Sequence, residues 1–132
     1  MDGTSSGNDT RLRPGTRVRL QDDGEGWFSG AAPDVVGVVE GDLGKGDYPT
    51  RWYVVRLDEP LEVQESGHDT PSGFVLMRYS LVLIRCRWMS VEISRGKLVS
   101  VFVCVVPDGR DPAQHLASVT EPDAWASGTV ID

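Results

Sequence analysis

Apolar and polar positions alternate with a period of two in several separate stretches of this 132-residue chain. That spacing sends successive side chains to opposite faces of a strand. In Arg17-Val18-Arg19-Leu20 it points Val18 and Leu20 to a core. Residues 35–40 read as a second strand, and Gly37 inside it predicts a bulge or a close backbone approach. Residues 51–57 read as a third, with Tyr53, Val55 and Leu57 on one face and Trp52, Val54 and Arg56 on the other. Asp58-Glu59-Pro60 is expected to end it, because proline cannot donate to a ladder. Residues 61–63 resume a short strand, and residues 64–73 read as a polar loop. Pro14-Gly15 is a turn ahead of the first strand, and residues 21–33 and 41–50 are loops.

The strongest pattern lies further on. Residues 74–88 and 97–106 are two long β-prone runs. Ser94-Arg95-Gly96 reads as a three-residue hairpin loop whose glycine occupies the last, left-handed place. This register sets Cys86 opposite Cys104 and Trp88 opposite Phe102, so the two cysteines are expected as near neighbours on one face. Residues 97–106 are apolar on both faces, which marks a central strand covered on both sides. The cover must come from the C-terminal segment or from a partner. Asp111 followed by Pro112 has the form of a helix start, an N-cap with proline in the first turn, for a short helix over residues 113–119. Beyond it Trp125, Val130 and Ile131 can dock on the sheet.

These elements predict a mainly β fold: an antiparallel small barrel or sandwich, a long hairpin in the C-terminal half, and one short C-terminal helix. Residues 1–12 read as a disordered lead-in and residues 13–110 as a single β domain. Residues 111–132 read as a short helix and acidic tail packing on it. Fifteen glycines and eight prolines interrupt the apolar runs, as a turn-rich β fold requires.

Charge adds a second pattern. The chain is acidic, with a formal net charge of −7, but unevenly so. Residues 1–20 carry +2, residues 21–76 carry −9, residues 77–110 carry +4 and residues 111–132 carry −4. The acidic block disfavours nucleic acid and favours a cationic protein partner, or plain solubility. No apolar run is long enough to span a membrane, and the first ten residues lack the basic start and apolar stretch of a secretory signal, so a cytoplasmic location is expected.

The stretch Arg13-Pro14-Gly15-Thr16-Arg17-Val18-Arg19-Leu20, with Val36-Gly37-Val38-Val39 and Tyr53-Val54-Val55-Arg56-Leu57-Asp58-Glu59-Pro60, resembles the Src-homology-3-like small barrels, of KOW and Tudor type. The resemblance covers residues 13–60 and implies a small barrel; a shared fold would not fix a function. In such barrels the first long loop often carries acidic residues beside aromatics that grip proline-rich or basic peptides. The matching positions here are Asp22, Asp23, Glu25, Trp27 and Phe28. Tyr48 and Trp52, with Tyr53, can extend the aromatic surface, even to a cage for a methylated amine. A solvated turn with its aromatics tucked over the barrel end explains the same residues, and burial is the commoner fate of aromatics.

Other chemistry is sparse. Arg78, Arg85, Arg87 and Arg95 form a basic group on the long hairpin that suits an anion or nucleic acid, or pairs with the acidic half. His68 and His115 have no ligands at metal spacing, and the two cysteines read as packing. Neither nucleophile, phosphate-loop nor metalloprotease motifs are present, so no catalyst and no cofactor is expected. What remains is a non-enzymatic intracellular protein-binding module. An immunity-like protein that neutralises a basic partner is one concrete form. A KOW-like nucleic-acid or ribosome-associated module and an accessory subunit of a larger enzyme are the alternatives. The pattern leaves the oligomeric state open.

Overall fold

Six strands and one short helix make up the computed structural model, which describes residues 12–22, 34–44, 51–66, 74–86, 93, 95–120 and 124–131. In chain order they are β1 (Arg17–Asp22), β2 (Asp34–Gly44), β3 (Trp52–Ser66), β4 (Phe74–Cys86), β5 (Val99–Val106), α1 (Pro112–Ala117) and β6 (Ala124–Val130). Each strand pairs antiparallel with the next, and β6 returns to pair with β1, so the sheet closes into a barrel. Closure leaves these six strands no free edge.

Local chemistry explains the shape of β2 and β3. A Cβ on Gly37 would lie 2.5 Å from the Arg56 carbonyl oxygen and 2.6 Å from Val55 Cγ1. The glycine therefore permits the close approach of β2 and β3 that the sequence predicts. The β2–β3 ladder shifts register between Val39 and Gly41 and again between Asp42 and Gly44. Gly44 takes a positive φ of 64°, which glycine adopts without strain. Pro60 does not end β3, contrary to expectation. The strand runs on to Ser66, and the β3–β4 ladder jumps from Arg56 to Leu61, so the proline sits in the irregular stretch where no ladder donor is needed.

Odd and even positions separate into two apolar layers. The barrel interior takes Val18 and Leu20 from β1, Val39 from β2, Tyr53, Val55 and Leu57 from β3, Val82, Ile84 and Cys86 from β4, Val99, Val101 and Val103 from β5, and Ala126 from β6. A second layer lies outside the barrel wall. It holds Trp52 and Val54 of β3, Leu83 of β4, Cys104 and Val106 of β5, and Leu116 of α1. Leu43, Leu81, Phe102 and Val119 pack around it. The two predicted faces of residues 52–57 are thus real. The doubly apolar β5 is central, and α1 covers part of its outer face.

The expected hairpin register is not the observed one. Leu83 pairs with Cys104, Arg85 with Phe102 and Cys86 with Val101. Cys86 consequently points into the barrel, and Cys104 points out into the second layer. Both thiols are buried, and no disulfide joins them. They are not neighbours on one face. Gly96 does take the left-handed φ, 74°, but Arg95 beside it bridges to Val130 of β6 rather than closing the hairpin. Register is set instead by burial. The observed pairing puts the uniform valine face of β5 inside and leaves Arg85 outside, where its charge is not buried in the core. Trp88 and Arg87 lie outside the described residues.

The helix start is as predicted. Asp111 is extended (φ −69°, ψ 126°), its Oδ2 accepts the Gln114 N–H at 3.0 Å, and Pro112 follows. Residues 124–130 enter the sheet as β6 rather than lying on top of it. No helix among the described residues is long and apolar enough to cross a membrane.

Candidate interaction surface

The outer face of β1–β3 is a lattice of alternating charge. Its outward positions carry Arg17 and Arg19 from β1, Asp34 and Glu40 from β2, and Arg56 and Asp58 from β3. Arg17 reaches across β2 to Asp58 at 2.6 Å, Arg19 lies 3.6 Å from Asp34, and Arg56 is bonded to Glu40. The Glu40 carboxylate, through its hydrogen bond and its charge, raises the affinity of the Arg56 guanidinium for its proton. At the β2–β3 end, Arg51 Nε donates to Asp42 at 2.8 Å, and Asp42 also accepts the Gly44 N–H. Every arginine of β1–β3, and Arg51 just ahead of β3, is matched by a carboxylate.

The outer face of β4–β6 is built differently. Arg85 pairs with Phe102 across β4–β5, and Phe102 pairs with Trp125 across β5–β6. On the other side the Arg85 guanidinium lies over the ring of Trp52, 5.7 Å from its centroid. Its distance to the Phe102 centroid is 5.3 Å. One row thus crosses four strands: Trp52, Arg85, Phe102, Trp125. Both ring distances fall within cation–π range. Trp52 is buried (6% exposed), whereas Trp125 is 37% exposed and Leu98, just before β5, is 60% exposed. No carboxylate occurs in residues 81–86, 99–106 or 124–130.

The predicted site residues fare unequally. Asp22 ends β1 opposite Ala126 of β6. Asp23, Glu25, Trp27, Phe28 and Tyr48 lie outside the described residues. The β1–β2 connection leaves from Asp22 and the β2–β3 connection from Gly44, which are opposite ends of antiparallel strands. The two connections therefore leave from different mouths of the barrel. Trp52 belongs to the outer layer that also takes Leu116 of α1, and it lies against Arg85. Of the basic group, Arg78 sits opposite Glu62 in the β3–β4 ladder, Arg85 is held by rings, and Arg95 is exposed beside Gly96. Sequence reasoning missed the four-strand row, because it depends on the β4–β5 register.

Inside the barrel, Tyr53 Oη accepts the Leu12 N–H at 3.1 Å. Burial raises the pKa of this phenol above its ordinary 10.0, the Leu12 hydrogen bond acting in the opposite sense. Among the described residues no group of three His, Cys, Asp or Glu side chains is placed to hold a metal ion. Compared with protein-family models, with curated proteins and with solved structures, the chain has no match in any of the three.

Proposed function

We propose that this barrel is a non-enzymatic protein-binding module whose acidic half receives a basic partner, as an immunity-like protein does. The supporting observation is how the β1–β3 wall spends its charge. Four of its arginines are each matched to a carboxylate. Residues 13–66 hold eleven carboxylates against six cations, so acid remains in excess after that pairing. Asp22, Asp23 and Glu25 belong to this acidic stretch and precede Trp27 and Phe28 in the sequence. Acidic groups beside aromatics suit a cationic partner: the charge steers encounter, and the rings supply contact area. The small closed barrel is compatible with the Src-homology-3-like resemblance, in which this loop is the peptide-gripping one.

A binding comparison tests the proposal. The chain is immobilised, captured basic proteins are purified, and their affinity is measured at rising salt beside that of a single-stranded 20-nucleotide probe. The proposal expects a basic protein whose affinity falls with salt and drops at least tenfold when Asp22, Asp23 and Glu25 are replaced by lysine. Binding of the oligonucleotide with a steep salt slope, and of no basic protein, would overturn it in favour of the nucleic-acid reading.

A further inference from the structure

The carboxylate-free wall offers a second surface, opposite in charge to the one just proposed and independent of it. Arg85 is held by two rings, yet its Nε is buried without a hydrogen-bond partner, and no carboxylate among the described residues pairs with it. A guanidinium fixed between rings loses little freedom when a carboxylate arrives. Beside it stand the partly buried Phe102 and the exposed Trp125, with Ser100 and Ser127 opposite each other one step along. Leu98 lies at the same end of the wall as the exposed cations Arg95 and Lys97. Cations, aromatics and one aliphatic side chain thus occur together on a face with no acidic group among its described residues.

We infer that this wall docks an acidic protein segment carrying an apolar anchor: a carboxylate of the segment pairs with Arg85, and its apolar residue rests on Trp125. Charge complementarity selects this occupant. The wall is locally basic, whereas the whole chain is at −7, which repels a polyanion such as nucleic acid more than a short segment with a few carboxylates. Arginine and tryptophan are also the residues that most often carry binding energy at protein interfaces.

The test selects random 16-residue peptides against the full chain. The selected peptides are then measured against the Arg85→Gln, Arg85→Lys and Trp125→Ala variants, with circular dichroism confirming that each folds. The inference expects enrichment of Asp and Glu around an apolar residue. It also expects at least a tenfold loss of affinity in Arg85→Gln and Trp125→Ala, and a smaller loss in Arg85→Lys, which keeps the charge without the planar fork. Trp125 is surface-exposed, so its variant still reports if the Arg85 variants unfold. Acidic peptides indifferent to the Trp125 variant and to any folded Arg85 variant would overturn the inference. Arg85-dependent binding of a single-stranded oligonucleotide, or Arg85-dependent dimerisation in sedimentation, would overturn it in favour of those occupants. Enrichment of basic peptides alone would also overturn it while leaving the acidic-surface proposal standing.

Discussion

The two walls of this barrel solve the same problem by different chemistry. Both present a strand face away from the interior, and both contain arginine. The β1–β3 wall covers itself with cross-strand ion pairs laid around Val36 and Val38. The outer face of β3–β5 builds an apolar layer, caps it with α1, and holds its arginine between rings. The first arrangement contributes little to stability, because exposed pairs are screened by water and cost side-chain entropy. The second removes whole side chains from water, at about 1.5–3 kcal/mol for each large one fully buried. One wall is thus a solvated surface, and the other is a second core.

The sharpest way to break that comparison is to truncate each layer. Leu83 of the outer layer and Ile84 of the interior are adjacent and both fully buried. Each change to alanine is expected to cost about 2–5 kcal/mol in urea unfolding. A Leu83→Ala cost below about 1 kcal/mol would show that the outer layer is only a cover. Tyr53 gives a smaller effect with a distinctive pH dependence. Its folded pKa is raised, so its contribution is fully present below the ordinary value of 10.0 and is lost as pH rises from there through the folded pKa. Tyr53→Phe should flatten this alkaline decline while costing about 0.5–1.5 kcal/mol at neutral pH for the lost Leu12 bond. An unchanged alkaline slope in the variant would place the titration elsewhere. The smallest effect belongs to the charged wall. A double-mutant cycle on Arg17 and Asp58 is expected to give a coupling of about 0.2–1 kcal/mol that fades in 1 M salt. A salt-insensitive coupling well above that range would make the ion-pair lattice a structural element in its own right.

What the sequence revealed follows from which interactions are local. The two faces of residues 52–57 were legible because a period of two needs no partner to be seen. The Asp111-Pro112 helix start was legible because an N-cap is satisfied within one turn, here by Gln114. Gly37 declared a close approach for the same reason: only a missing Cβ fits there. The β4–β5 register was not legible. The parity of the hairpin was decided by which face of β5 fills the barrel. That one unread parity displaced Cys86 from Cys104, and it concealed the Trp52–Arg85–Phe102–Trp125 row. Pro60 misled because a proline reads as a stop, whereas an irregularity in the ladder absorbs it. Of the candidate site, the acidic excess was visible from composition alone, but the carboxylate-free wall needed three strands from distant parts of the chain to be brought together.

The pairing of β6 with β1 also carries a cost in time. β1 ends at Asp22 and its second neighbour begins only at Ala124, so roughly a hundred residues of chain must be bridged before that seam can form. Contacts this distant in sequence slow folding, because loop entropy is lost before the contact is gained. On the ribosome, β1 to β5 can zip up as a meander while Val18 and Leu20 still lack their last wall. Until β6 emerges, β1 and β5 present unpaired backbone to the cell, and a nascent chain stalled at that stage would be prone to aggregate.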